Sequence, residues 1–480
     1  VNPIPGPILL LALPLLAAGV TYVVRRLSFP AALLSTLTTA GLAILCFQLP
    51  LDRSAFVLGQ EVAFGRPVVV LGQTLVLDAG GQAWLAFVFA LAPVLYLFAW
   101  RITQGRSFYP FSLLILSLYA LVTLLQSFEL SLIVFAISTT LGVFIIQAGQ
   151  PSSVRGAQRY LTVTLLAVPF LLAASWLLDN PVPGATLRSA LLPAALGFGL
   201  LLAAFPFGTW MPALAAGAPP MVAAFIFAAG QAMALYLGLI FLRHSPTLLD
   251  VASVPAAIRL AGLVMAASGG IMAAVQRDFG RLFGYAALSD LGVLLMAFGP
   301  AGSQGLSMTL LYAVYRGIAI VLMASALAIL RHRVGSDRFS ELRGVARRLP
   351  ITTMGLILGG LALAGFPFTA GFPLHWAVYR NVWSWAQPFS AAGSEAALGQ
   401  TWIWVLSVIA LLASSAGIAT GVLRGLSAML GGSAREDVAR QPALASLVVL
   451  LLAAFVIFLG MHPQLLVGAV SNAAQAFLHL

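Results

Sequence analysis

The chain has 480 residues, of which 61% are apolar and 8% charged, against roughly 45–50% and 25% in a soluble globular domain. That balance excludes a water-exposed globular protein; with about 20 apolar residues needed per bilayer crossing, it describes an all-α polytopic membrane protein. The net charge of +11 is carried by arginine alone, since all 24 basic residues are Arg and none is Lys, so a lysine-based proton relay is excluded.

In chain order, apolar runs bounded by Pro, Gly, Arg or Asp predict fourteen spans. They cover residues 4–24, 29–50, 79–100, 108–127, 129–149, 158–178 and 186–208, then 217–242, 254–275, 281–299, 304–330, 350–391 (interrupted), 401–423 and 442–461. No basic stretch precedes the first run, so a cleavable signal peptide is not expected. The segment 51–78 differs: from Pro67 to Asp78 it is rich in β-formers around Gly72, and reads as a hairpin on the membrane surface. Cys46, the single cysteine, excludes an internal disulfide and a Cys-based metal site.

Seventeen loop arginines, among them Arg25, Arg101, Arg155, Arg277 and the run Arg331–Arg348, fall on one side of this topology, and six fall on the other. Basic residues stay on the cytoplasmic side, which places both termini outside. Short arginine-bearing loops between apolar runs are membrane topology and not a nucleic-acid footprint. Two apolar segments share an echo, Phe205-Pro206-Phe207 and Phe366-Pro367-Phe368, 161 residues apart. A proline at mid-span breaks a helix, and paired interruptions point to a repeat-built transporter with its sites at the breaks.

Ionisable groups inside a span cost about 2.5–3.5 kcal/mol each, so each needs a reason. Three lie deep, namely Asp290, Arg316 and His375 just beyond the Pro367 break, while Glu129 opens its span within reach of the interface. Asp290 and Arg316 fit either a structural ion pair or an ion pathway. His375 is either a satisfied core histidine or a proton exchanger, its ordinary pKa of ~6.5 being the one suited to neutral pH. No His/Cys metal spacing, phosphate loop, nucleophile elbow or paired haem histidines occur, so no catalytic centre, metal or cofactor of its own is expected.

The stretch Gln276-Arg277-Asp278-Phe279-Gly280-Arg281-Leu282-Phe283-Gly284-Tyr285 through Ser289-Asp290-Leu291-Gly292 resembles the "Q-x-D-x-K-R-L-L-A-Y-S-S-I-x-x-x-G" signature. That signature belongs to the antiporter-like subunits of respiratory complex I and of multi-subunit cation/proton antiporters. Pro206-Phe207-Gly208-Thr209-Trp210-Met211-Pro212 with Gly217-Ala218-Pro219, Gly365-Phe366-Pro367 with Gly371-Phe372, and Gly460-Met461-His462-Pro463 resemble further motifs of that family. The ordered match covers about 100 to 465. The resemblance implies two inverted five-helix repeats, helices 4–8 and 9–13, with helices 7 and 12 broken. It divides the chain into 1–100, the first helices with an outer hairpin; 101–245 and 246–425, the repeats; and 426–480, a last helix and tail.

At the positions where the family carries its channel groups, this chain has others. The family's glutamate falls on Ser138, with Glu129 as a displaced substitute; its first lysine falls on Leu201, the histidine after the break on Gly208, and two more lysines on Gln231 and His375. Arg316 stands where some members carry a lysine, with Tyr312 at a neighbouring histidine. The expectation is an antiporter-like integral membrane subunit of an NADH:quinone oxidoreductase-type or related ion-translocating complex in a bacterial plasma membrane. Its partners are then other membrane subunits, the lipid bilayer, and protons or monovalent cations, with a proton path through the second repeat. The alternatives are a non-pumping structural subunit and a stand-alone cation/proton transporter.

Overall fold

A computed structural model describes residues 4–48, 51, 55–57, 60–148, 153–180, 188–245, 248, 251, 253–298, 303–391, 395–433 and 435–468. The expected tail beyond residue 468 lies outside the described residues. Among the described residues, eleven helices are long and apolar enough to cross a bilayer, and three apolar helices are shorter. In order the helices are α1 (Gly6–Val23), α2 (Ser28–Gln48), α3 (Ala79–Arg101), α4 (Phe108–Leu124), α5 (Phe128–Gln147), α6 (Val154–Asp179), α7 (Arg188–Leu201) and α8 (Trp210–Gly217). There follow α9 (Pro220–His244), α10 (Ser253–Val275), α11 (Phe279–Phe298), α12 (Ser303–Val334), α13 (Pro350–Leu363), α14 (Phe372–Ala391), α15 (Glu395–Leu430) and α16 (Ala443–Met461). Several outrun their apolar cores: α6 includes Arg155 and Arg159, and α12 runs on through Arg331 and Arg333. Arginine stems can lie along apolar surface while the heads reach water, so the helix outlasts the apolar run that marked it.

The segment after α2 holds two antiparallel pairs. Strands β2 (Ala55–Val57) and β3 (Gln60–Ala63) pair, with β1 (Ile4–Pro5) added in parallel to β3. Strands β4 (Val68–Val70) and β5 (Gln73–Leu75) form the hairpin read from the sequence, in the register Val68 to Leu75. Its two turn residues, Leu71 and Gly72, both have positive φ (50° and 78°), the geometry of a type I′ connection that matches strand twist.

The chain divides into two compact units. The first contains residues 1–202 and 217–251. Its centre is aromatic: Tyr119 of α4 stacks on Phe135 of α5 and on Phe225 of α9, with centroids 6.2 and 6.4 Å away. Helix α9 widens into a π-turn at Ile226–Gly230, directly before Gln231. The second unit contains residues 203–216 and 252–468. There α10, α11 and α15 are tied by two buried hydroxyls, Ser289 and Ser414, which lie 2.6 Å apart and 2.9 and 2.7 Å from the Ala266 carbonyl, so that one hydroxyl donates to the other and the second to the carbonyl.

Helical structure is interrupted at both Phe-Pro-Phe sites. Helix α7 ends at Leu201, and helical turns resume at Phe207. Helix α13 ends at Leu363, and α14 begins at Phe372. The first interruption is also where the chain leaves the first unit, between Leu202 and Ala203. The short helix that follows, α8, is fixed within the second unit: Arg331 donates to the carbonyls of Ala215 and Ala216 at 2.9 and 3.2 Å, and is held in turn by Asp337 at 2.6 Å. A cation on the free carbonyls of a helix C-terminus satisfies both their hydrogen bonding and their dipole.

Candidate functional site: a buried Asp–Tyr–His–Arg cluster

Helix α11 starts at the motif aspartate. Asp278 accepts from the Arg281 N–H at 2.7 Å, capping the first turn, and burial holds its carboxyl above the ordinary carboxylate value. Three turns further on, the helix presents Asp290. Tyr312 and Arg316 are four residues apart on α12, and so share one face of it. His375 stands in the first turn of α14, just past the second break. All four side chains are buried.

Arg316 Nε lies 3.1 Å from Asp290 Oδ2, and its Nη2 donates to the Ala287 carbonyl at 3.0 Å. The Tyr312 hydroxyl donates to Asp290 Oδ1 at 2.8 Å and sits 3.0 Å from His375 Nδ1 and 3.3 Å from Nε2. His375 Nε2 is 3.9 Å from the same carboxylate oxygen. Nδ1 also lies 3.1 Å from the Gly371 carbonyl, which can only accept. The proton of the neutral ring therefore belongs on Nδ1. Because the single tyrosine hydrogen points to Asp290, the tyrosine oxygen is the acceptor toward the imidazole. Aspartate and arginine offset each other's charge, and the tyrosine joins that pair to the one titratable ring.

The break makes room for this ring. Gly365 has φ +66°, and a Cβ on it would lie 2.6 Å from His375 Cδ2. Glycine is thus required twice at one position, for the left-handed backbone and for the imidazole seated on it. Phe368 also takes a positive φ, 64°, within the same break, a conformation that costs a non-glycine residue of order 1–3 kcal/mol. Strain of this kind persists where the surrounding structure determines the site. Beyond His375, the Tyr379 ring lies edge-on at 5.9 Å, and its hydroxyl reaches Ser415 at 2.6 Å. Ser289, the residue before Asp290, makes the bond to Ser414. Hydroxyl groups of α11, α14 and α15 thus flank the cluster on the Asp290 side and the His375 side.

Of the candidates read from the sequence, Asp290, Arg316 and His375 come together. Glu129 does not join them: it belongs to the first unit, in the first turn of α5, where it accepts from Ser175 at 2.5 Å. Ser138 spends its hydroxyl on the Phe135 carbonyl at 2.6 Å, while Leu201 and Gln231 are buried and carry no exchangeable proton near neutral pH. Gly208 has no space for the family's histidine, because a Cβ there would lie 2.6 Å from the Ala203 carbonyl and 2.9 Å from Leu288. Pro206 and Pro367 both lie between helical segments. Tyr312 is the member that reasoning from sequence did not count as a site residue. Its signals were its place one turn before Arg316 and its position where the resemblance puts a neighbouring histidine of the family.

Residues 119–399 match the family described as NADH:quinone oxidoreductase/Mrp antiporter, TM. "NADH-quinone oxidoreductase subunit N 2" of Acidobacterium capsulatum is 28% identical over 442 residues, covering 83% of this chain and 86% of that one. A chain of the Mrp complex from Dietzia superposes with a TM-score of 0.77 at 17% identity, covering 98% of this chain and 97% of its own length. A chain of respiratory complex I from Thermus thermophilus gives 0.76 at 19%, with 98% of each covered. The family match spans more than half of the sequence, the fold follows the same architecture from end to end, and the apolar helices suit a bilayer. This chain is an integral membrane protein of the NADH:quinone oxidoreductase/Mrp antiporter family of membrane subunits.

Proposed function

We propose that the chain is an antiporter-like subunit of a multi-subunit, NADH:quinone oxidoreductase-type or related ion-translocating complex, and that its second repeat, 246–425, carries protons through His375, Tyr312 and Asp290. The observation that supports this reading is the Tyr312 hydroxyl, which touches both the Asp290 carboxylate and the His375 ring in a fully buried place. A proton arriving on His375 Nε2 allows the Nδ1 proton to pass to the tyrosine oxygen, and the tyrosine proton to pass to Asp290. The imidazole ends neutral with its proton on the other nitrogen, the tyrosine is restored, and Asp290 becomes a neutral acid. Arg316 then loses the charge that balanced it, which drives release of the proton from Asp290, and the return of the imidazole proton from Nε2 to Nδ1 completes the reset of the cluster. Arg316 itself stays charged throughout and acts as the fixed counter-charge.

In this reading both termini face outward, the Arg331–Arg348 loop faces the cytoplasm, and other membrane subunits cover part of the apolar surface. The test is His375→Phe in the assembled complex, reconstituted in sealed vesicles. Proton-linked activity should be lost while assembly persists. Full proton-linked activity in an assembled His375→Phe complex overturns the proton path. The result then favours the second reading, a structural subunit, which the neutral side chains of Ser138, Leu201 and Gln231 in the first unit already favour for that half.

A further inference from the structure

We propose that Glu129, Asp179 and His244 form a binding site for a zinc-type transition-metal dication. The three residues come from separate helix ends: the first turn of α5, the last residue of α6 and the last residue of α9. One ligand atom from each lies within 4.8 Å of the other two. His244 Nε2 already stands 2.9 Å from Asp179 Oδ1. Bonds of about 2.0–2.2 Å to imidazole nitrogen and carboxylate oxygen place tetrahedral ligand atoms roughly 3.3 Å apart. The ion therefore requires the histidine–aspartate pair to open by a few tenths of an ångström and the glutamate to close in. These are side-chain adjustments, and His244 and Asp179 are exposed enough to make them.

The chemistry of the place selects a cation. Two carboxylates meet here in a chain that has only 13 acidic residues and a net charge of +11, so their meeting is not the product of a crowded acidic surface. The neighbouring cation, Arg243, pairs with Asp78 at 2.6 Å. Helices α6 and α9 both terminate at the cluster, so two negative helix ends meet the one positive end of α5 there. Ser175 donates to Glu129 Oε1 and orients the carboxylate, as outer residues do around metal sites. The imidazole favours zinc over magnesium or calcium, which prefer oxygen ligands. Three protein ligands at an accessible edge leave the fourth position to water. Such an ion joins the ends of α5, α6 and α9, and occupies the one acidic group, Glu129, that opens its span in the first repeat.

The experiment is a zinc titration of the purified full chain in detergent, read by competition with a chromophoric chelator in excess magnesium. The wild-type chain should bind one equivalent more than His244→Ala, and Glu129→Gln should lose that same equivalent. Ser175→Ala should keep it with affinity lowered by about 10-fold or more. His332→Ala and His462→Ala, which change histidines elsewhere, should match the wild type. Unchanged stoichiometry and affinity in both His244→Ala and Glu129→Gln overturns the site, as does full suppression of the extra equivalent by magnesium. A loss that appears equally in His332→Ala and His462→Ala also overturns it, because the binding is then not local.

Discussion

Replacing Asp290 by Asn tests the cluster most directly. The substitution keeps an oxygen to accept from Tyr312 at the present 2.8 Å, and replaces the charged oxygen facing Arg316 across 3.1 Å by an uncharged amide NH2 that cannot accept from it. At that distance the gross attraction is about 5 kcal/mol for an effective dielectric near 20. Most of it is offset by the cost of dehydrating both groups, so the pair itself contributes little net stability. The single change is severe for a different reason: it leaves a guanidinium buried without its counter-charge, which costs about 3–5 kcal/mol. Arg316→Met should cost a similar amount by stranding the carboxylate. The double variant Asp290→Asn/Arg316→Met should recover most of the loss, because an ion pair replaced on both sides leaves no orphaned charge. The coupling energy is then about 3 kcal/mol or more, over a hundredfold in the unfolding equilibrium. Equilibrium unfolding of the purified chain in mixed micelles across this cycle measures it. Single variants that lose less than about 1 kcal/mol, or a double variant whose loss equals the sum of the singles, would refute the account of the pair as mutually neutralised charges.

Other outcomes follow from the same geometry. Tyr312→Phe removes the hydroxyl from between Asp290 and His375 and should cost about 1.5–3 kcal/mol for a bond to a charged acceptor; in vesicles it should also stop proton-linked activity, and activity equal to wild type would remove the tyrosine from the path. Gly365→Ala sets a Cβ against the His375 ring at a φ of +66°, so a loss of several kcal/mol is expected in the same unfolding assay, and near-neutral behaviour would mean that the break does not seat the ring. Arg331→Met uncovers the carbonyls at the end of α8 and releases Asp337, with an expected loss of about 1–3 kcal/mol. For orientation, in a Cys46→Ala background, single cysteines at Leu71 and Ser336 should be labelled from opposite sides of the membrane; labelling of both from one side refutes the proposed topology.

The sequence by itself determined the class of this protein and much of its course. Its apolar content can be satisfied only in a bilayer, and each crossing is a local run of about 20 residues, so both are legible without tertiary contacts. The Phe-Pro-Phe echo was equally legible, but proline alone does not decide a break: Pro14, Pro93, Pro169 and Pro193 lie inside continuous helices, whereas the helices stop around Pro206 and Pro367. The motif from Gln276 to Gly292 was enough to suggest the family, and Asp290, Arg316 and His375 stood out because charge inside an apolar run is costly. What the tertiary structure alone decided was which of these groups meet. Tyr312 lies 22 residues from Asp290 and 63 from His375; the resemblance placed it at a family histidine position, but nothing in the sequence showed that its hydroxyl joins these two groups. Glu129, read from the sequence as a displaced substitute for a channel group, meets Ser175, Asp179 and His244, which are drawn from two other helix ends. The reason is physical. Hydropathy and helix breaking act over a few turns, whereas the pairing of buried polar groups depends on how separate helices turn their faces, which no single segment encodes.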